Sequence, residues 1–192
     1  MSNALNRTKV AKERERPSKK APLTVSRPEL LVDGSDDQFR KLVHDMFAFF
    51  SRHQAIREGH AAQIGLAGIE YTILISIRQL SRAGDVHVAL VAEHLHLSGA
   101  FITTIINRLT AKELVEKTAQ PDDRRRVRLT VTRKGMELLE RLAPRQRKVN
   151  DAEFECLDAR EFNQLSRMME RLVESSDKSL SLQRYLTENG IE

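Results

Sequence analysis

The stretch LSGAFITTIINRLTAKELVEKTAQPDDRRRVRLTVTRKG, from Leu97 to Gly135, decides the fold of this 192-residue chain. Ser98 heads a run in which Ile102, Ile105, Ile106 and Leu109 fall on one face, the pattern of a capped amphipathic helix through about Lys112. Residues 114–119 and 127–131 then alternate apolar and polar side chains around the Asp/Arg-rich turn Pro121 to Arg126, as the strands of a hairpin do. Upstream, Val86 to Val88 reads as a short strand and Ala89 to Leu97 as a helix with Leu90, Val91 and Leu95 facing inward. Two short helices joined by about three residues make a helix-turn-helix candidate, and the hairpin that follows makes its wing.

Working outward, Phe39, Leu42, Val43, Met46, Phe47, Phe49 and Phe50 recur at helical spacing, with Ser35 or Asp36 placed to cap the helix. A break over Gly59 to Gly68 precedes Ile69 to Leu80, which is apolar on most of its surface and should be the most buried helix. Beyond the hairpin, Thr132 caps a helix from Lys134 to about Asn150, which Pro144 should kink or divide. A last helix, Asp158 to Leu186, carries Phe162, Leu165, Met169 and Leu172 at spacings of three and four, a seam suited to helix pairing. The expected fold class is mostly α with a small β-hairpin wing (α+β): a winged helix-turn-helix lobe plus a helical dimerisation region. Residues 1–34 are expected to be a disordered basic tail and residues 35–186 the folded domain, with residues 187–192 a C-terminal tail. Within that domain the dimerisation helices are placed at 35–58 and 145–186, the lobe at 69–135.

Charge is distributed unevenly. The formal net charge is +5, but residues 1–28 carry eight basic side chains against two acidic ones, so the rest of the chain is close to neutral. Within it, residues 117–134 hold seven basic groups against Asp122 and Asp123, whereas residues 150–192 hold ten acidic against five basic. A folded part with its positive pole at the hairpin suits an edge that meets phosphates. No run approaches the roughly 18 to 20 apolar residues of a membrane span, and no signal-peptide core is apparent, so no membrane partner is expected and a cytoplasmic location is. Cys156, the only cysteine, excludes an intramolecular disulfide and fits a reducing compartment, with redox sensing by this thiol the alternative.

These features point to double-stranded DNA as the partner. The outward positions of the second helix are Ser98, Gly99, Ala100, Thr103, Thr104, Asn107 and Arg108, whose hydroxyl, amide and guanidinium groups bond phosphates or base edges. Arg124, Arg125, Arg126 and Arg128 crowd the hairpin, where arginine suits the narrow, negative minor groove because its guanidinium desolvates easily. Asp123 would be repelled by DNA and is assigned to an ion pair that braces the wing. The two chain ends offer more apolar surface than one subunit needs, so a homodimer is expected.

The segments Leu97-Ser98 through Asn107-Arg108-Leu109, Leu114-Val115-Glu116-Lys117, Asp123-Arg124-Arg125 and Thr132-Arg133-Lys134-Gly135 resemble the MarR (multiple antibiotic resistance regulator) family. The match is specific over about residues 85–140, and the helix order extends it to nearly everything after residue 35. The resemblance implies a winged-helix dimer, both chain ends building its interface, each lobe reading half of a pseudo-palindromic operator, usually as a repressor. It also implies that the helix from Ser98 enters the major groove, that Arg125 reaches the minor groove and that Asp123 braces the wing. Thr104, Glu113, Gly99 and Phe101 depart from the family pattern. Family members commonly respond to small anionic or phenolic ligands. The resemblance places such ligands in a cleft between the dimerisation helices and the DNA-binding lobe, and here the helices that would line it carry His44, Phe47, Phe50, Tyr71 and Arg78, which would suit an aromatic carboxylate or its CoA thioester.

Other classes find less support. No Gly-rich phosphate loop, metal-spaced Cys/His cluster or nucleophile motif occurs, so neither an enzyme nor a resident cofactor or metal is expected. His94 and His96 would point apart on a helix, and His44, His53, His60 and His87 are scattered. A winged-helix module that coats DNA without sequence preference, or binds protein, is the remaining alternative.

Overall fold

The computed structural model describes residues 21–119 and 127–190. Six helices and one hairpin follow in the order α1 (Asp37–Gln63), α2 (Gly68–Leu80), α3 (Val88–Leu95), α4 (Gly99–Ala111), β1 (Val115–Ala119), β2 (Val127–Val131), α5 (Arg133–Phe154) and α6 (Ala159–Asn189). The chain divides into two compact units, residues 1–51 and 52–192, with the boundary inside α1.

In the first unit, residues 21–36 depart from the unstructured tail expected up to residue 34. A 3-10 turn over Pro28–Leu30 leads to a bridge between Val32 and Ser35, closed by Asp33 and Gly34 at positive φ. The Asp36 carboxylate organises this arm. It accepts from the Thr24 amide (2.7 Å) and hydroxyl (2.6 Å) and pairs with Arg40 Nε at 3.0 Å. Arg40 and Thr24 together hold the carboxyl far below its ordinary pKa. Composition could not reveal this, because one buried, fully partnered carboxylate orders a segment that has few apolar side chains. On α1, Phe47, Phe49 and Phe50 are exposed within the chain, with the rings of Phe49 and Phe50 edge to face at 5.6 Å.

The core of the second unit is built around α2. Tyr71, Ile73, Leu74 and Ile77 are fully buried against Ile102, Ile105, Ile106 and Leu109 of α4 and against Leu129, Leu139 and Leu142. The near-continuous apolar sequence of α2 follows from its being covered on most of its circumference. Its first turn is closed by Glu70, which accepts from the Ala67 amide (2.9 Å) where Ala67 has no side-chain acceptor to offer.

α3 starts one residue earlier than its pattern suggested, because the His87 side chain caps it by accepting from the Leu90 amide at 3.1 Å. It stops at His96 in the left-handed conformation (φ 51°), and Ser98 then caps α4 by accepting from the Phe101 amide. The two helices meet at 115°, within the range of helix-turn-helix pairs. Residues 86–88 are not a strand. Only Val86 pairs, its carbonyl accepting from the Leu129 amide at 2.8 Å, after which α3 begins.

β1 and β2 pair antiparallel in the register Val115↔Val131 to Ala119↔Val127, with Val115 and Leu129 turned into the core. The Thr132 hydroxyl joins the wing to α5, donating to the Glu113 carbonyl (2.7 Å) and accepting from the Gly135 amide (3.1 Å). α5 is not divided at Pro144. Proline removes one internal hydrogen bond, but contacts on both sides keep the helix in one piece. Leu139 and Leu142 are buried, Gln146 donates to the Tyr71 hydroxyl, His60 reaches Asn150 at 3.3 Å and His53 reaches Glu153 at 3.1 Å. α6, capped by Asp158, has no buried residue along its length. No single helix among the described residues is long and apolar enough to cross a membrane.

Candidate nucleic-acid interface

α4 separates its residues cleanly. Ile102, Ile105, Ile106 and Leu109 are buried, while Gly99, Ala100, Thr103, Thr104, Asn107 and Arg108 are exposed and Ser98 stands at the cap. The threonines are not free to donate. Thr103 Oγ1 donates to the Gly99 carbonyl (2.8 Å) and Thr104 Oγ1 to the Ala100 carbonyl (3.1 Å), so outward they present a methyl group and an oxygen acceptor. That chemistry matches a thymine methyl or an exocyclic amine in the major groove. Asn107 Oδ1 accepts from Lys117 Nζ of β1, which leaves its amide hydrogens as outward donors and ties the helix to the wing. Phe101 is 43% exposed on this helix.

A second tie holds the base of the wing. Arg128 on β2 pairs through Nε with Asp85 Oδ1 at 3.2 Å, beside the Val86–Leu129 backbone bond. Arg124, Arg125, Arg126 and the proposed brace Asp123 lie outside the described residues. Neither Lys117 nor Asp85 is singled out by the sequence as a site residue, since one lysine on a basic strand and an aspartate in a loop carry no such signal until the fold sets them beside Asn107 and Arg128.

Electrostatics behind α4 are arranged by Glu70, which is buried and accepts from Lys112 Nζ at 2.7 Å. Burial pushes its carboxyl up, but the Lys112 and Ala67 hydrogen bonds and the charges of Lys112 and Arg108 outweigh that and hold it below the ordinary range. At the C-terminus of α4, Glu113 takes a left-handed φ of 60°, and its carboxylate pairs with Lys134 Nζ at 2.8 Å. That contact lowers the Glu113 carboxyl.

The side chains suggested for an effector are divided between the two units. His44, Phe47 and Phe50 are exposed in the first unit, whereas Tyr71 and Arg78 belong to α2 in the second. Tyr71 is buried and its hydroxyl is already held by Gln146, and burial pushes its phenol up. Among the described residues no three His, Cys, Asp or Glu side chains gather as a metal site.

The family model of the MarR family matches residues 64–126, from the α1–α2 turn through the wing turn. The chain is 26% identical over 143 residues to the HTH-type transcriptional repressor NicR of Pseudomonas putida, covering 74% of this chain and 89% of that one. It is also 26% identical over 128 residues to the HTH-type transcriptional regulator MhqR of Bacillus subtilis, covering 66% and 88%. Among solved structures, a mutant MarR from E. coli complexed with operator DNA superposes with a TM-score of 0.59 at 18% identity, over 71% of this chain and 96% of that one. Bordetella bronchiseptica BpsR, a protein whose DNA binding is regulated by 6-hydroxynicotinic acid, superposes with a TM-score of 0.56 at 23% identity, over 68% and 91%.

Proposed function

We propose that the chain is a member of the MarR family of winged helix-turn-helix proteins, whose model it matches over residues 64–126, and that it is a homodimeric, sequence-specific DNA-binding transcriptional regulator acting as a repressor. The observation that carries this reading is the outward face of α4, which presents Thr103, Thr104, Asn107 and Arg108 and is joined through Asn107–Lys117 to a wing with an arginine-rich turn. α4 enters the major groove, where Thr103, Thr104 and Asn107 read base edges and Arg108 meets phosphate or guanine. Arg125 at the wing tip enters the minor groove, with Arg124 and Arg126 beside it on the backbone and Asp123 as brace. Arg128, already paired with Asp85, anchors the wing and does not contact DNA.

The exposed apolar seam of α6 supports the dimer, since among the described residues nothing buries Phe162, Leu165 and Leu172. Two lobes related by a two-fold axis would read a pseudo-palindromic operator. BpsR, regulated by 6-hydroxynicotinic acid, and the aromatic side chains of α1 support an aromatic acid as the releasing effector. Such a ligand acts only by binding the DNA-incompetent arrangement more tightly than the competent one.

Binding to promoter and random DNA at fixed salt tests the reading. A specific regulator gives a large affinity ratio, whereas a ratio near one identifies a DNA-coating module. Arg125→Ala is expected to lower affinity for the cognate site by about 1–3 kcal/mol. Unchanged binding by that variant would remove the wing from the interface.

A further inference from the structure

Asn107 and Lys117 stand side by side, both exposed, and the bond between them fixes which hydrogen-bonding groups this part of the surface has left. Lys117 lies opposite Leu129 in the wing ladder and two residues after the buried Val115, so it leaves β1 on the side turned towards α4. Its ammonium reaches the outward face of α4 and donates to Asn107 Oδ1. An ammonium carries donors and no acceptor, so only the oxygen of the amide can face it, and Nδ2 is turned away with both of its hydrogens. Among the described residues no carboxylate competes for Lys117, and Asn107 has no second partner. Thr103, one helical turn before Asn107, and Thr104 turn their hydroxyl hydrogens back onto α4, so they add no donor beside this pair.

We propose that the Asn107–Lys117 pair selects guanine at one position of each operator half-site, with Lys117 as the residue that sets the choice. This rests on the reading of α4 as the helix that enters the major groove. There guanine presents two acceptors, N7 and O6, whereas adenine presents an acceptor beside an amino donor, thymine an acceptor beside a methyl group, and cytosine a donor. A free asparagine suits adenine, because its amide offers one donor and one acceptor to that mixed edge. In this chain Lys117 occupies the acceptor and sets a cation beside it. An approaching adenine amino group then meets another donor. Guanine instead meets the Nδ2 hydrogens at N7 and the remaining ammonium hydrogens at O6, the second of these a charge-assisted bond. Lys117 is therefore a positioning residue for Asn107 as well as a cation, and it sits on the wing, outside the helix whose base choice it sets.

Selection of binding sites from random duplex DNA by the full chain, repeated with Asn107→Ala, Lys117→Met and Lys117→Arg, tests the proposal. Both side chains are exposed, so the melting temperatures are expected to match the parent. The parent should enrich a half-site with guanine at the position whose preference Asn107→Ala abolishes, favouring G·C over A·T there by about tenfold, within the discrimination of a good base contact. Lys117→Met should move that preference to adenine, because Oδ1 is freed, whereas Lys117→Arg keeps a donor on Oδ1 and should keep guanine. A lysine that supplied charge alone would, when removed, weaken all sequences alike and leave the preference where it was. In the selected site, hypoxanthine in place of that guanine keeps N7 and O6 and should bind like it, while 7-deazaguanine, which lacks N7, should bind more weakly. Adenine or no preference at the position that Asn107 reads, a preference unmoved by Lys117→Met, or equal binding of 7-deazaguanine would overturn the proposal and leave specific binding standing. So would an Asn107→Ala variant that selects the same site as the parent. Enrichment of no sequence at all would remove the specific-regulator reading and this proposal with it, so the two failures are told apart.

Discussion

At Gly135 a methyl group would meet the Leu114 carbonyl oxygen at 2.6 Å and Val131 Cγ1 at 2.8 Å. The start of α5 is thus pressed against the entry of the wing so closely that only glycine fits. Gly135→Ala should destabilise the fold by about 1–3 kcal/mol, the usual cost of overpacking, seen as a lower denaturation midpoint. A midpoint within error of the parent would show that the backbone yields freely there. Glu70 makes a pH prediction. Its folded pKa is lowered, so its contribution is fully present above the unfolded glutamate value near 4.5 and is lost as pH falls through the lower folded value. Glu70→Gln should therefore cost about 1 kcal/mol at neutral pH, and the gap to the parent should narrow as pH falls below the unfolded value. A gap that stays constant down to pH 3 would remove the charge from the explanation.

Among the elements, the wing shows most clearly how the fold assigns work to side chains. Reading residues 117–134 as a basic patch treats its cations alike, yet Lys117 is spent on Asn107, Arg128 on Asp85 and Lys134 on Glu113. If Arg128 only anchors the wing, Asp85→Asn and Arg128→Met should weaken operator binding equally, by no more than about 1 kcal/mol, and the double variant should add nothing. A larger loss for Arg128→Met, with the salt dependence falling by about one phosphate contact, would return Arg128 to the DNA. The helix boundaries were legible for a plain reason: Ser98, Thr132 and Asp158 each cap the helix that the apolar periodicity announced. Residues 86–88 were misread because Val-His-Val, two β-branched residues flanking a polar one, carries the same local signal whether it pairs along its length or only once.

For the whole molecule, the exposed apolar residues of α6 require a partner surface. Leu172→Asp should leave a monomer untouched, since the side chain is half exposed and substitutions there usually change stability by less than about 0.5 kcal/mol. In the dimer proposed here it should shift the mass in solution from two chains to one at micromolar concentration, and weaken operator binding with it. A parent chain that is already monomeric would refute the paired-end arrangement.

By itself the sequence determined the helix order, the two faces of α4, the two strands of the wing and the motif that matches the MarR family model over residues 64–126. Periodicity, caps and turn chemistry are local, and a local pattern is complete within a few residues. The tertiary structure decided what depends on distant residues meeting: the arm held by Asp36, the sequestering of the Tyr71 hydroxyl by Gln146 and the pairing of Arg128 with Asp85. A polar side chain shows its type in the sequence, but whether its hydrogen bonds are already taken is settled only by what the fold brings within 3 Å or so of it.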